Sequence, residues 1–151
     1  MTDDLDQLLD DAQLPERTVD ICLRSDLIEQ YKQLASEMSS DSLAAGQSEE
    51  MVDLEARIRT ATKTFVLRAL PREEYRKLLS EHPARKDNPV DRASGLHMEA
   101  FIAALVRRCT VSPEMNESRW AKMEKKLSTG QWEKLHAAAH LVNSTEANLP
   151  F

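Results

Sequence analysis

The sequence predicts an α+β, mostly α-helical fold, with about five to six helices packed on a small two-stranded sheet. Three observations lead there. Only two stretches, residues 18–23 and 64–70, alternate apolar and polar side chains as a strand does. Elsewhere the apolar residues recur at steps of three and four, the helical spacing. The chain of 151 residues has only three Gly and 5% aromatic residues, a composition that suits a helix-rich soluble domain. That length suits one domain with a real core. The expected organisation is an acidic flexible tail over 1–16, one helix-rich domain over 17–143 and an irregular tail over 144–151.

Residues 1–13 hold Asp3, Asp4, Asp6, Asp10 and Asp11 and no base. Without those five acids, 21 acidic residues face 20 basic ones, so the net charge of −6 is mostly a property of this tail. A chain balanced elsewhere is not a general nucleic-acid binder. Leu5, Leu8, Leu9 and Leu14 stand among the aspartates. A frayed tail is the expectation; the alternative is a short acidic helix that docks on a partner.

In the first strand Val19, Ile21 and Leu23 point one way, and Thr18, Asp20 and Cys22 the other. Ser25 and Asp26 can cap a helix whose face carries Leu27, Ile28, Tyr31, Leu34, Ala35 and Met38. Residues 39–48 are polar, include Gly46 and read as a loop. A second helix, about 49–62, carries Met51, Leu54, Ile58 and Ala61 in a narrow stripe like a short coiled-coil seam. The expected use of that stripe is packing on the sheet and the first helix.

Residues 64–83 are the organising stretch. Phe65, Leu67 and Ala69 form the apolar side of the second strand. Pro71 has no amide to give a ladder but suits a helix start, and Glu73 and Glu74 favour it further. Tyr75, Leu78, Leu79 and His82 recur at helical spacing until Pro83 stops the helix. The two strands are separated by two helices, so both parallel and antiparallel pairing are open. Either way the two apolar sets must share the covered face, and the other face would set Asp20 of one strand beside Arg68 of the other.

Residues 84–95 hold Arg85, Lys86, Asp87, Asn88, Pro89, Asp91 and Arg92 and read as a charged, exposed, mobile loop. Met98, Phe101, Ile102, Leu105, Val106 and Cys109 then define the most buried helix. Ser112, Pro113 and Glu114 signal another helix start, with Met115, Trp120, Met123 and Leu127 as anchors. Residues 128–130, Ser-Thr-Gly, break it. A last helix over about 131–142 presents Trp132, Leu135, Ala139 and Val142.

Catalytic chemistry finds no foothold. His136 and His140 have metal-ligand spacing, but a zinc protease motif needs Glu where Ala137 stands. No metal site and no cofactor are expected there. Cys22 and Cys109 are too few for a disulfide framework and fit a reducing cytoplasm. No oxyanion-hole glycines accompany Cys22, and a buried structural role is expected for both. No phosphate loop or membrane-spanning apolar run is present, and the acidic N-terminus gives no expectation of a signal peptide. The chain is therefore expected not to be an enzyme. The expected contact surface is Met115, Trp120, Met123, Trp132 and Leu135, in a poorly amphipathic helix pair rich in Met and Trp. From Asp53 to Lys86, nine basic residues, all between Arg57 and Lys86, face five acidic ones, a surplus that would suit a small nucleic-acid-binding regulator.

Several pieces, in their order, resemble the tail assembly chaperones of long-tailed (siphovirus-type) phages and prophages of actinobacteria. They are Val19-Asp-Ile-Cys-Leu-Arg-Ser-Asp-Leu27, Phe65-Val-Leu-Arg-Ala-Leu-Pro-Arg-Glu-Glu-Tyr75, Glu81-His-Pro83 and Ser128-Thr-Gly-Gln-Trp132 leading to Asn143. The resemblance covers roughly residues 17–143; its motifs are structural, and Tyr75 stands where members often have another aromatic residue. It implies a non-catalytic protein of the host bacterial cytoplasm that binds the tape-measure protein and helps recruit tail-tube subunits. It also implies a short form that homo-oligomerises or associates with a longer, frameshifted form.

Overall fold

A computed structural model of the chain describes residues 4–38, 48–146 and 148–151. The loop expected over 39–48 falls, but for Ser48, outside the described residues. The described residues form eight helices and a three-stranded antiparallel sheet, which corrects the expected five to six helices on two strands. In chain order these are α1 (Leu5–Asp11), β1 (Glu16–Cys22), α2 (Ser25–Glu37), α3 (Glu49–Thr60), β2 (Thr62–Arg68), α4 (Arg72–Ser80), α5 (Pro89–Ser94), α6 (Met98–Cys109), β3 (Thr110–Ser112), α7 (Glu117–Lys126) and α8 (Thr129–Ser144).

The sheet order is β1-β2-β3, with β2 central. The helices α2 and α3 carry the chain out from the end of β1 and back, so β2 returns alongside β1 in the antiparallel sense. Val19 faces Phe65, Arg17 faces Leu67 and Ile21 faces Lys63. Residues directly opposite share a face, so the two apolar sets lie together on the covered side. Ile21, Phe65 and Leu67 are buried there, while Leu23 lies beyond the strand and is exposed. The charge pairing expected across the open face is different. Asp20 stands opposite Thr64, whose hydroxyl donates to its carboxylate at 2.5 Å, and Arg68 pairs with Glu16 at 2.6 Å. Antiparallel direction places Asp20 and Arg68 at opposite ends of the pair.

Both strands begin two residues before their expected starts. Glu16, Arg17, Thr62 and Lys63 carry ladder hydrogen bonds but no apolar signal. The ladder extends at each end, with Ala69 N–H donating to Pro15 O and Leu23 N–H donating to Ala61 O, both at 2.9 Å.

The helix expected from Ser112 begins instead at Glu117. Residues 110–112 extend straight from α6 and pair with the free edge of β2. Asn116 then caps α7, its Oδ1 accepting the Arg119 amide at 2.9 Å. The expected loop over 84–95 contains α5. Asn88 caps it at 3.0 Å, and Gly95 ends it with φ of 80°, a conformation that favours glycine. Arg85 closes this segment with three hydrogen bonds to the Asp91 carboxylate, at 2.8 to 3.1 Å. Of the charges that suggested a solvated loop, Arg85 and Asp91 are spent on each other, and Arg92 on the Lys86 carbonyl.

One core lies between the sheet and the helices α4, α6, α7 and α8. Ile21, Phe65 and Leu67 from the strands meet Leu78, Phe101, Leu105, Val106, Cys109, Trp120, Leu135 and Ala139. Phe101 takes the edges of Tyr75 and His82, at ring-centre distances of 5.6 and 6.3 Å. The seam of α3 is spent elsewhere: Met51 and Leu54 are buried with Leu27 of α2, apart from this core. The pair α2–α3 is a helical hairpin beside the sheet.

Candidate functional site

Helix α8 organises the surface. Its start is a capping box: Ser128 Oγ accepts the Gln131 amide at 3.2 Å, and Gln131 Oε1 accepts the Ser128 amide at 2.8 Å. Gln131 Nε2 also donates to Cys22 O, and Lys134 Nζ to Asp20 O, both at 2.9 Å. These bonds lay α8 across β1. At the other end Asn143 bonds Leu70 and Cys109. The helix is thus fixed at both ends, and α6 packs along it.

The outer surfaces of α6 and α8 leave a groove of about 580 Å³ closed at one end by α5. Val90, Met98, Ile102 and Ala137 give it apolar walls, and His97, His136, His140 and Glu99 line its edges. Met98, the first residue of α6, is 45% exposed. Burial pushes the His136 imidazole below the ordinary histidine range, against the pull of Glu133, Glu124 and Glu99. Burial thus disfavours the charged imidazole, which makes this wall of the groove less polar. Asp91, 3% exposed, is held down to about 2 by its hydrogen bonds with Arg85.

Next to this groove, Trp120 and Trp132 stack at 6.2 Å, with Arg107 over Trp120 at 5.6 Å and His136 against Trp132 at 6.0 Å. Among the described residues, Trp132 Nε1–H is a buried donor with no acceptor. A second groove, of about 290 Å³, is formed by Leu23, Phe65, Pro113, Met115 and Met123, with Lys63, Arg119 and Lys122 at its rim.

The residues expected to form one contact surface are distributed over three settings. Leu135 is fully buried and Trp120 nearly so, both in the core. Trp132 is half-buried beside the first groove, and Met115 and Met123 line the second. Sequence reasoning missed Met98, Ile102 and Ala137 as a groove. Met98 and Ile102 share the periodicity of the buried residues of α6, and an exposed alanine carries no signal. The spacing of His136 and His140 was the available pointer: both lie on the outward side of α8.

Among the described residues, no group of three or more His, Cys, Asp or Glu side chains stands close enough to hold a metal ion. Among them, no helix is long and apolar enough to cross a membrane. Comparison with protein-family models, curated proteins and solved structures finds no match to this chain.

Proposed function

We propose that this protein is a non-catalytic phage tail assembly chaperone, the short form, acting in the host cytoplasm. In this reading it binds the long helical tape-measure protein and helps recruit tail-tube subunits around it. The observation that carries the reading is the open apolar groove between α6 and α8. Its Val90, Met98, Ile102 and Ala137 walls suit one apolar face of a partner helix. Methionine adapts to irregular side chains, which suits the varied apolar face of a long helical partner. The resemblance of residues 17–143 names the partner.

The alternative was a nucleic-acid-binding regulator using the basic surplus between Arg57 and Lys86. Several of those charges are engaged: Arg57 with Asp53, Arg59 with Glu55, Arg68 with Glu16 and Arg85 with Asp91. Such pairing reduces what is left for phosphates and favours the chaperone reading. Co-expression with helical fragments of a tape-measure protein from the same genome tests it. Co-purification as a stable complex is expected; tight, salt-sensitive binding of duplex DNA, with no tape-measure complex, would replace this reading with the other.

A further inference from the structure

We propose that the Met115–Met123 groove is the dock for helix α1 of a second copy of this chain. Every residue of α1 is exposed, with Leu8 and Leu9 at 63% and 61%. At helical spacing Leu5, Leu8 and Leu9 form one stripe, with Asp6 and Asp10 along one side and Asp4 and Asp11 along the other. The helix itself carries no base. The groove is its complement: Phe65, Met115 and Met123 make the apolar surface, and Lys63, Arg119 and Lys122 make the rim. No Asp or Glu is among the described residues that line it. An apolar stripe flanked by acids meets an apolar slot flanked by bases.

The chain's own α1 stands clear of this slot. Pro15 is pinned to the sheet, since its carbonyl accepts the Ala69 amide at 2.9 Å. Leu23 and Lys63, at the groove, lie at the opposite end of the β1–β2 pair. Every residue of α1 is exposed, and none of them lines the groove. The slot is therefore assigned to α1 of another copy, and two copies can exchange their helices reciprocally.

The test is molar mass by sedimentation equilibrium in low and physiological salt. It uses the full chain, the arm variant Leu8→Asp/Leu9→Asp, a groove variant Lys63→Glu/Lys122→Glu and an arm variant Asp6→Lys/Asp10→Lys. All substituted positions are exposed, and circular dichroism checks that each variant is folded. The full chain is expected to self-associate with rising concentration, less so as salt rises, and each variant alone to stay monomeric. Mixing the two charge-reversed variants restores opposite charges in both exchanges, and association should return. A monomeric full chain at every concentration overturns the proposal, whether α1 is free or docks elsewhere. So does association that the variants leave unchanged, or a mixture that stays monomeric. These outcomes are independent of tape-measure binding, which uses the other groove.

Discussion

Asn143, near the end of α8, accepts the backbone amide of Leu70 at 2.9 Å. The Leu70 amide is the last before Pro71, where the strand turns into α4 and the ladder can take no further donor. The other end of the same side chain is also used: Asn143 Nδ2 donates to Ala139 O at 2.7 Å and to Cys109 Sγ at 3.3 Å. One amide thus joins the strand-to-helix corner, α6 and α8.

Asn143→Ala should destabilise the protein by about 1–3 kcal/mol, because it strips partners from a part-buried amide. Chemical denaturation compared with the wild type measures this. Asn143→Asp keeps the acceptor for Leu70 but loses the donor, and should not restore full stability.

Leu67 is fully buried near the end of the central strand β2. Leu67→Ala should cost about 2–5 kcal/mol and leave the protein unfolded or aggregating. Asp20→Ala removes an exposed cross-strand hydrogen bond to Thr64 and should cost only about 0.2–1 kcal/mol. Thermal melts that rank the two the other way would contradict the assignment of the covered face.

The Arg85–Asp91 closure predicts an acid response with a definite sign. The Asp91 carboxyl is lowered from its ordinary 3.8 to about 2 in the folded chain, chiefly by its hydrogen bonds with Arg85. Its contribution is therefore complete above the unfolded value and is lost as pH falls from about 4 towards about 2. Melting temperatures of the wild type and Asp91→Asn should differ most above pH 4 and converge at lower pH. A difference that is constant across this range would show that the closure does not depend on the charge.

How far the sequence could be read follows from which signals are local. The apolar alternation of residues 19–23 and 65–69 marked both long strands and their shared face. Pro71 marked the start of α4, whereas residues 128–130 read as a break and hid the Ser128 cap, so α8 begins two residues before its expected start. The third strand was not legible: residues 110–112 are too short to alternate, and they are a strand only because the edge of β2 is beside them. The antiparallel direction was likewise settled by the course of a helical hairpin, not by any residue. Helix α5 was hidden because Arg85 and Asp91 look solvated until their pairing is seen. Among the expected contact residues, Trp120 and Leu135 show why periodicity alone misleads: an apolar stripe on a weakly amphipathic helix reads the same whether core or partner covers it.

The central claim is that the groove between α6 and α8 receives a helical partner. The most direct measurement is the affinity of a tape-measure helical fragment for the wild type, Ala137→Glu and Met98→Asp by titration calorimetry. Ala137 and Met98 are exposed, so both variants should remain folded. The account predicts binding to the wild type and a loss of about tenfold or more in each variant, the effect of a charge buried without a partner. Equal affinity in all three would contradict it.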